Sequence, residues 1–379
     1  MNRTSITRIF KAIVASSVLL AAFAGTGITT THASEKNSPG AVYVLSNAAA
    51  GNSVLLFDRA SNGALTPAGS VATGGLGTGS GLGSQGSLSL SNNNRWLFAV
   101  NAGSNDISAF KVTRDGLQLT DKISSGGIRP ISLTTSGDLL YVLNAEPGAN
   151  NITGFMVRDG RFEAIPNSTR PLSGSDVGPA QVQFNAHGDL LAVTEKGTNR
   201  IDTYVVNHQG LASAPHVQAA AGTTPFGFAF DQRNRLFVSE AFGGAAGASA
   251  VSSYKAEENG SLEVLTPSSA THQTAACWVA VTNNGRYAYT TNAGSGSVSG
   301  YRIDHNGEIN LLNADGRTGV TGDGSSPTDV TTDNSSRNLY VLTSGSHTIV
   351  SFNINGNGSL TPIAGAPSLP ASAIGIAAR

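Results

Sequence analysis

Short apolar runs that end in a polar residue recur along most of this chain. Each run is four or five residues long, is rich in Val, Leu, Tyr and Phe, and closes on Asn, Glu or Thr. The closing residues are Asn47, Asn101, Asn144, Glu195, Glu240, Asn292 and Thr343. Short runs rich in β-branched and aromatic residues predict buried strands. Their spacing of about 50 residues is the period of one four-stranded propeller blade.

Other features repeat in the same register. An aromatic residue follows each run on a second predicted strand, at Phe57, Phe110, Phe155, Tyr204, Tyr254, Tyr301 and Phe352. A turn glycine then precedes a third apolar segment, and a strand opened by Pro or Gly lies before most runs. Each unit therefore predicts four strands, A to D, with the apolar run as strand B. The D–A and B–C loops are then expected to meet at one mouth of a central channel.

The two ends of the repeat complete each other. The first unit has no strand A, whereas residues 372–377 form an apolar stretch without a unit of its own. We therefore predict an all-β, seven-bladed β-propeller closed by the C-terminal strand joining the first blade. Closure protects the sheet edges. A solenoid of the same units is the alternative, but it needs capping units, and the sequence shows none.

The N-terminal residues lie outside the repeat. Basic residues at Arg3, Arg8 and Lys11 precede an apolar run, and Thr31-His32-Ala33 resembles a small-residue cleavage site. This order is typical of a secretory signal peptide. We expect a signal peptide over residues 1–33, one propeller domain over residues 34–379, and a secreted, periplasmic or extracellular location. An uncleaved anchor is the alternative, although the run is shorter than the about 20 residues of a membrane span.

Composition restricts the possible partners. The 379 residues carry a net charge of −1, which argues against a basic surface for nucleic acid. No later segment is long enough for a stable membrane span. No grouping of His, Asp and Glu has metal-ligand spacing, and we expect neither a metal nor a cofactor. The only cysteine, Cys277, adjoins Trp278 in an apolar run, which indicates a buried structural thiol. We expect a monomer.

One glycine motif has the spacing of a dinucleotide-binding site but not its structural context. Gly81-Leu-Gly-Ser-Gln-Gly86 matches G-x-G-x-x-G. A dinucleotide site requires this motif to follow a strand and open a helix, whereas here it ends a glycine-rich loop and enters a strand. We predict that residues 74–86 are a mobile D–A loop at the channel mouth. It could act as a lid, offer backbone N–H groups to an anion, or be a flexible spacer.

Several phrases carry a family resemblance that spans the repeat region. Residues 100–108 and 289–298 resemble the YVTN repeats of bacterial propellers. The ordered motifs at 178–179, 193–201, 225–230, 237–242 and 277–281 resemble the lactonase propeller family. That family contains 6-phosphogluconolactonases and carboxymuconate cyclases. The resemblance implies a seven-bladed propeller whose active members use a His and an Arg at the starts of neighbouring A strands and a Glu at the end of a strand B.

This chain carries over one of those three groups. Glu195 matches the expected Glu. Ala180 and Gln181 stand where the Arg is expected, and Ile131 and Ser132 stand where the His is expected.

Two successive B strands depart from the common closing asparagine. Glu195 and Glu240 would place two carboxylates at one channel mouth, where burial and mutual repulsion raise one pKa, so that one could be a base and the other an acid. Arg129 is the candidate for stabilising an oxyanion, ahead of Lys196 and Gln181. The residues predicted to bind substrate at this mouth are Gln181, Asn144, Asn292, Trp278 and His272.

Structural roles are the alternatives at each position. Glu195 and Glu240 could cap loop amides, Arg129 could be a surface ion-pair partner, and Trp278 could belong to the core.

Three functions follow in order of preference. The first is an exported lactonase-like hydrolase of small-molecule lactones or cyclic esters. The second is a non-catalytic binding or scaffold propeller for an envelope ligand. The third is an intramolecular lyase, as the muconate cyclases imply. Export makes cytosolic substrates such as 6-phosphogluconolactone poor candidates.

Overall fold

The computed structural model describes residues 39–379, which form seven antiparallel sheets of the predicted A-B-C-D order. The predicted signal peptide lies outside the described residues. The seven-bladed propeller is confirmed, and so is its closure, because the last strand pairs with the first. In that pairing Val42, Tyr43 and Val44 oppose Ala378, Ala377 and Ile376.

The strands keep one order in every blade. The A strands are β4 (Leu88–Leu90), β8 (Pro130–Ser136), β13 (Pro179–Phe184), β17 (Pro225–Phe230), β21 (Ala276–Val281), β26 (Pro327–Thr332) and β30 (Ile374–Ala378). The B strands are β1 (Gly40–Leu45), β5 (Trp96–Asn101), β9 (Leu139–Asn144), β14 (Leu190–Glu195), β18 (Arg235–Glu240), β22 (Tyr287–Asn292) and β27 (Asn338–Thr343).

The outer strands complete each sheet. The C strands are β2 (Ser53–Arg59), β6 (Asp106–Thr113), β10 (Asn151–Arg158), β15 (Arg200–Val205), β19 (Ala250–Ala256), β23 (Ser297–Ile303) and β28 (Thr348–Ile354). The D strands are β3 (Leu65–Ala72), β7 (Gly116–Ser124), β11 (Arg161–Ala164), β16 (His216–Ala219), β20 (Leu262–Ala270), β24 (Ile309–Leu311) and β29 (Leu360–Ala366). Two-residue strands β12 (Arg170–Pro171) and β25 (Gly319–Val320) pair with β10 and β23, and Phe242–Gly244 is a 3-10 turn.

The A strands form the inner ring of the propeller. Each of them contacts the A strands of the two adjacent blades, and β30 lies between β26 and β4. The B strands are buried on both faces, since each lies between A and C in its own sheet and packs against neighbouring blades. Burial on both faces explains why the B strands read as continuous apolar runs, whereas the D strands expose many of their residues.

A tyrosine on strand B and a turn glycine join adjacent blades. The hydroxyl of Tyr141 donates to the carbonyl oxygen of Gly210 at 2.7 Å, and that of Tyr289 donates to Gly358 at 2.8 Å. Gly210 and Gly358 have φ values of 77° and 85°, in the left-handed region that favours glycine. The repeated turn glycine is therefore part of the interface between blades.

Strands A and B pair irregularly at the end of the blade nearest the candidate site. The register shifts after the first pair in five blades, including the shifts between Pro130 and Ser132, between Pro179 and Gln181, and between Pro327 and Asp329. Such bulges re-aim side chains. They decide which residues of strand A meet the adjacent blade near the channel mouth.

Candidate functional site at the channel mouth

The D–A and B–C loops are joined by one repeated backbone bond. The residue before strand A has a left-handed backbone in five blades, and its carbonyl accepts the amide that follows strand B. These residues are Arg129, Gly178, Thr224, Ala275 and Ser326. The positive φ of Arg129, 58°, is thus a property of the repeat. The predicted gathering of the two loop types at one mouth follows from this bond.

Glu195 is fully buried within blade 4. Its Oε1 accepts the backbone N–H of Ser173 at 3.0 Å, and its Oε2 accepts the hydroxyls of Ser173 and Thr198, each at 2.5 Å. The carboxylate therefore holds loop residues and has no surface in the mouth.

Glu240 is equally buried and has its own partners in blade 5. Its carboxylate accepts the hydroxyls of Ser252 and, at 2.6 Å, Ser268. Burial raises the pKa of Glu240, and the serine hydrogen bonds oppose that rise. Among residues 39–379 the two glutamates share no hydrogen-bond partner, and both are fully buried. The expected pair of carboxylates facing one partly wet mouth is therefore not what the structure contains.

The predicted substrate-binding asparagines occupy the same kind of position. Asn144 is fully buried and its Nδ2 donates to the Ser125 carbonyl at 3.2 Å. Asn292 is also fully buried and donates to the hydroxyls of Ser297 and Ser299, at 3.1 and 2.9 Å. The asparagine that closes strand B therefore donates to groups of its own blade, to the D–A loop in the case of Asn144 and to strand C in the case of Asn292.

Gln181 connects two blades. Its amide accepts the N–H of Phe228 at 2.7 Å and donates to the carbonyl of Phe228 at 2.9 Å. Both of its polar groups are engaged by strand A of blade 5. His272, in contrast, is exposed on the loop between β20 and β21.

Trp278 lies in the core beneath the mouth. Its indole N–H donates to the Ser84 carbonyl at 2.9 Å, and its ring meets the edge of Phe226 at a centroid distance of 5.0 Å. Cys277 beside it is buried, and burial raises the pKa of its thiol to about 12, so it is not poised as a nucleophile.

Residues 74–86 lie across the mouth as an anchored segment, which we call the plug. The Gln85 side chain accepts the N–H of Val279 at 3.1 Å and donates to its carbonyl at 2.9 Å. The Gln85 backbone N–H donates to Ala180, and the Ser84 hydroxyl donates to Ile131 at 2.8 Å. The plug therefore binds strand A of blades 3, 4 and 6. The sequence predicted its place but not these anchors.

A cavity of about 290 Å³ opens beside the plug. Its lining includes Leu82 of the plug, Arg129, Asn150, Asp176, Pro179 and Lys196. The structure thus brings Arg129 of blade 3 and Lys196 of blade 4 together. It does not bring Glu195, Glu240, Asn292 or His272 to this cavity, since none of them lines it.

Lys196 is the most perturbed cation of the mouth. Its Nζ donates to the Gly83 carbonyl at 2.6 Å and lies 4.6 Å from the centroid of the Phe226 ring. Burial lowers the pKa of Lys196 to about 8, the nearby thiol of Cys277 opposes that shift, and the positive Arg129 adds to it. A lysine with such a pKa can exchange protons near neutral pH.

Arg129 presents a free guanidinium. Its backbone N–H donates to the Asn105 side chain at 2.8 Å and its carbonyl accepts Ala145, which fixes the main chain. Within residues 39–379 no hydrogen bond or ion pair engages the guanidinium itself, so the predicted surface ion pair is not formed there. The group remains available for an oxygen-rich ligand.

No set of three or more His, Cys, Asp or Glu within residues 39–379 is arranged to hold a metal ion. No helix in the same range is long and apolar enough to cross a membrane.

Solved structures share this fold at low sequence identity. A Lactobacillus plantarum protein is 16% identical with a TM-score of 0.70, covering 90% of this chain and 99% of its own. A Bacteroides fragilis protein, assigned provisionally as a 6-phosphogluconolactonase, is 18% identical with a TM-score of 0.68, covering 91% and 99%. The periplasmic gluconolactonase of Pseudomonas aeruginosa is 16% identical with a TM-score of 0.66, covering 88% and 98%.

Sequence comparison assigns the family. No curated protein matches the chain. The family model described as "Lactonase, 7-bladed beta-propeller" matches residues 32–166 and 178–374, nearly the whole of the propeller. The resemblance to the lactonase propeller family is thereby confirmed, and the chain belongs to the lactonase family of seven-bladed β-propellers.

Proposed function

We propose that this protein is an exported hydrolase of lactones or related cyclic esters, acting in the cavity between Arg129 and Lys196. The observation that carries the proposal is a partly buried lysine beside a free arginine at the channel mouth of a lactonase-family propeller. The cavity of about 290 Å³ falls near the lower end of small-molecule sites.

The two cations divide the work of ester hydrolysis. Lys196, as a neutral amine, removes a proton from water while the water oxygen attacks the lactone carbonyl carbon. The Arg129 guanidinium stabilises the oxyanion that forms on the carbonyl oxygen. The ring C–O bond then breaks, and the ammonium of Lys196 returns its proton to the departing alkoxide. The balance is one lactone and one water giving one hydroxy acid.

This assignment moves the base away from the glutamates. Glu195 and Glu240 are fully buried, and all their partners are loop or strand groups. A general base must reach its proton directly or through one water. Lys196 meets that condition at the cavity wall, so in this proposal the glutamates do not act on substrate.

Export is the second part of the proposal. It is supported by the basic and apolar N-terminal pattern of the sequence. The Pseudomonas relative of the same fold is a periplasmic gluconolactonase. Lactones present outside the cytoplasm are therefore the first substrates to test.

A binding propeller without catalysis is the second candidate. It is favoured by Ala180 and Gln181 standing where active members are expected to carry Arg, because Gln181 is fully occupied in joining blades 4 and 5. In that case Arg129 and Lys196 would bind an anionic envelope ligand without turning it over.

The experiment is hydrolysis of a varied lactone panel by the mature protein and by Lys196→Met. Turnover by wild type and its loss in Lys196→Met supports the hydrolase, with a decrease of about 100-fold or more expected for a general base. Lys111→Met is the matched control, since Lys111 is exposed on strand C of blade 2, away from the cavity lining. Binding of panel members without turnover would favour the second candidate.

A further inference from the structure

Blade 4 has two acidic side chains in the pair formed by the last residue of strand B and the third residue of strand C. The equivalent pairs in the neighbouring blades have one acid or none. In three other blades the residue that closes strand B bonds a serine hydroxyl two positions after the start of strand C. The pairs are Asn101 with Ser108, Glu240 with Ser252 and Asn292 with Ser299. The corresponding residues in blade 4 are Glu195 and Asp202, and both are fully buried. In blade 4 the carboxyl group of Asp202 therefore occupies the position of the serine hydroxyl.

The two carboxyl groups hold one loop jointly. The backbone N–H of Ser173 donates to Glu195 Oε1 at 3.0 Å and to Asp202 Oδ2 at 2.8 Å. The Ser173 hydroxyl donates to Glu195 Oε2 at 2.5 Å. Ser173 belongs to the D–A loop that continues to Asp176 and Gly178, which form one wall of the cavity.

Glu195 of this pair also holds a second loop. Thr198 Oγ1 donates to Glu195 Oε2 at 2.5 Å. Thr198 lies in the B–C loop that begins with Lys196, on another wall of the cavity. One buried acidic pair thus anchors the two loops of blade 4 that shape the candidate site.

Two ionised carboxylates cannot coexist at this place without a large cost. Burial, and then the adjoining Glu195, raise the pKa of Asp202 to about 8. Asp202 Oδ1 is buried and accepts no hydrogen bond from any group within residues 39–379. A proton between the two carboxyl groups removes the repulsion and gives the pair a hydrogen bond.

The other ionisable groups around the pair do not supply a counter-charge of equal strength. Arg200, on the same strand, partly opposes the rise in the pKa of Asp202. Tyr204 donates its hydroxyl to the Pro171 carbonyl at 3.0 Å, and burial raises its own pKa. The residues opposite on β16 are Val217 and Gln218, which carry no charge.

We propose that Glu195 and Asp202 are positioning residues, which fix the two loops of the candidate cavity through one shared proton. When the proton leaves, the repulsion between the carboxylates weakens the anchors on Ser173 and Thr198, and the cavity walls loosen. The anchoring holds whether the cavity hydrolyses its ligand or only binds it. Only the effect on turnover rests on the proposed function.

Hydrogen–deuterium exchange on the whole mature protein tests the anchoring without any substrate. Protection of residues 172–178 and 196–199, corrected for intrinsic exchange, is followed from about pH 6 to about pH 9.5, which brackets the expected loss of the proton. Wild type should lose about tenfold or more of its protection over this range. Asp202→Asn should stay protected, because its amide can donate to Glu195 in place of the shared proton.

Glu240→Gln is the matched control, since Glu240 closes strand B of blade 5 and anchors Ser252 and Ser268 instead. It should reproduce the wild-type pH dependence in residues 172–178 and 196–199. Protection in wild type that does not change with pH overturns the proposal, and this result needs no variant to fold. Loss of protection that persists unchanged in Asp202→Asn overturns it as well.

A turnover measurement separates this proposal from the proposed function. If the protein hydrolyses a lactone, Asp202→Asn should leave kcat near the wild-type value at pH 7 and abolish a rise in KM above about pH 8. A kcat lowered as strongly in Asp202→Asn as in Lys196→Met would contradict a positioning role. If no lactone is turned over, the exchange experiment still decides the proposal.

Discussion

At the scale of single residues, buried carboxyl groups give this protein a pH-dependent stability. Asp329 is an example on strand A of blade 7, in a channel cavity of about 190 Å³ that is also lined by Gln85 and Gln181. Its Oδ1 accepts the N–H of Val330 at 2.8 Å, and the backbone of Ile376 bonds the same carboxyl group. Burial raises the pKa of Asp329 to about 8, although these backbone bonds oppose the rise.

The sign of the resulting effect follows from proton binding. The unfolded chain releases the Asp329 proton near pH 4, whereas the folded chain keeps it to about pH 8. The free energy of unfolding contributed by this group therefore falls as pH rises between those values and is constant above them. Asp329→Asn should remove this fall in the free energy of unfolding. The stability of the variant relative to wild type should therefore be higher at pH 8 than at pH 5, by about 1 kcal/mol or more. Urea unfolding of both proteins at pH 5 and pH 8 measures this difference. The same change in unfolding free energy with pH in both proteins would contradict a buried, protonated Asp329.

The residue scale is also where sequence reasoning fell short. The closing Glu195 and Glu240 stood out as departures from asparagine, but alternation along a strand could not show that these side chains turn into the loops. Asp202 was missed, although one signal was present. Ser108, Ser252 and Ser299 occupy the equivalent strand C position, and only blade 4 has an acid there. Asp329 had no such signal, because the bulge at the start of strand A decides its orientation.

At the scale of elements, the plug is the largest difference between expectation and structure. A glycine-rich run was expected to be mobile because glycine permits many backbone conformations. The fixed contacts come from the residues among the glycines, chiefly Leu82, Ser84 and Gln85, which are buried against the A strands. The position of the loop over the mouth followed from topology. Its anchors are groups on three A strands, of which Val279 is 194 positions from Gln85 in sequence.

Gln85→Ala should release the plug. The substitution leaves the N–H and C=O of Val279 without their side-chain partner and should lower the free energy of unfolding by about 1–3 kcal/mol. Trp278, whose indole N–H bonds the Ser84 carbonyl, should become more accessible to acrylamide quenching in a Trp96→Phe background.

Gln181→Ala provides the comparison for the plug. It removes an equivalent amide bridge, to Phe228, that lies outside the plug. A similar loss of stability without increased quenching of Trp278 is expected. Equal quenching in the two variants would show that the plug does not depend on Gln85.

At the scale of the whole molecule, the fold was predicted fully from the repeat. The apolar runs predicted the B strands, and the turn glycines predicted the C–D turns. The missing strand A of the first unit and the extra apolar segment at the C-terminal end predicted the closure. These features are readable because each blade repeats the same packing, so seven weak signals reinforce one another. The functional residues occur once each and have no such reinforcement.

The closing interface should be as tight as the others. Tyr340 of the seventh blade donates its hydroxyl to the Gly63 carbonyl of the first blade at 2.9 Å, as Tyr141 and Tyr289 do at interior interfaces. Tyr340→Phe should therefore cost about 1 kcal/mol of unfolding free energy, close to the cost of Tyr141→Phe or Tyr289→Phe. No loss in Tyr340→Phe, with a loss in the other two, would show a ring that is loosely closed.

The central claim is that Lys196 acts as a base on lactones at the channel mouth. The most direct measurement is the pH dependence of kcat, which the expected change in KM above about pH 8 does not affect, for a lactone that the protein hydrolyses, in wild type and in Lys196→Arg. Wild type should gain activity as pH rises through about 8, where Lys196 becomes neutral, and Lys196→Arg should be inactive because arginine stays protonated. Activity retained in Lys196→Arg, with the wild-type pH profile, would contradict the account and leave Lys196 with only an electrostatic role.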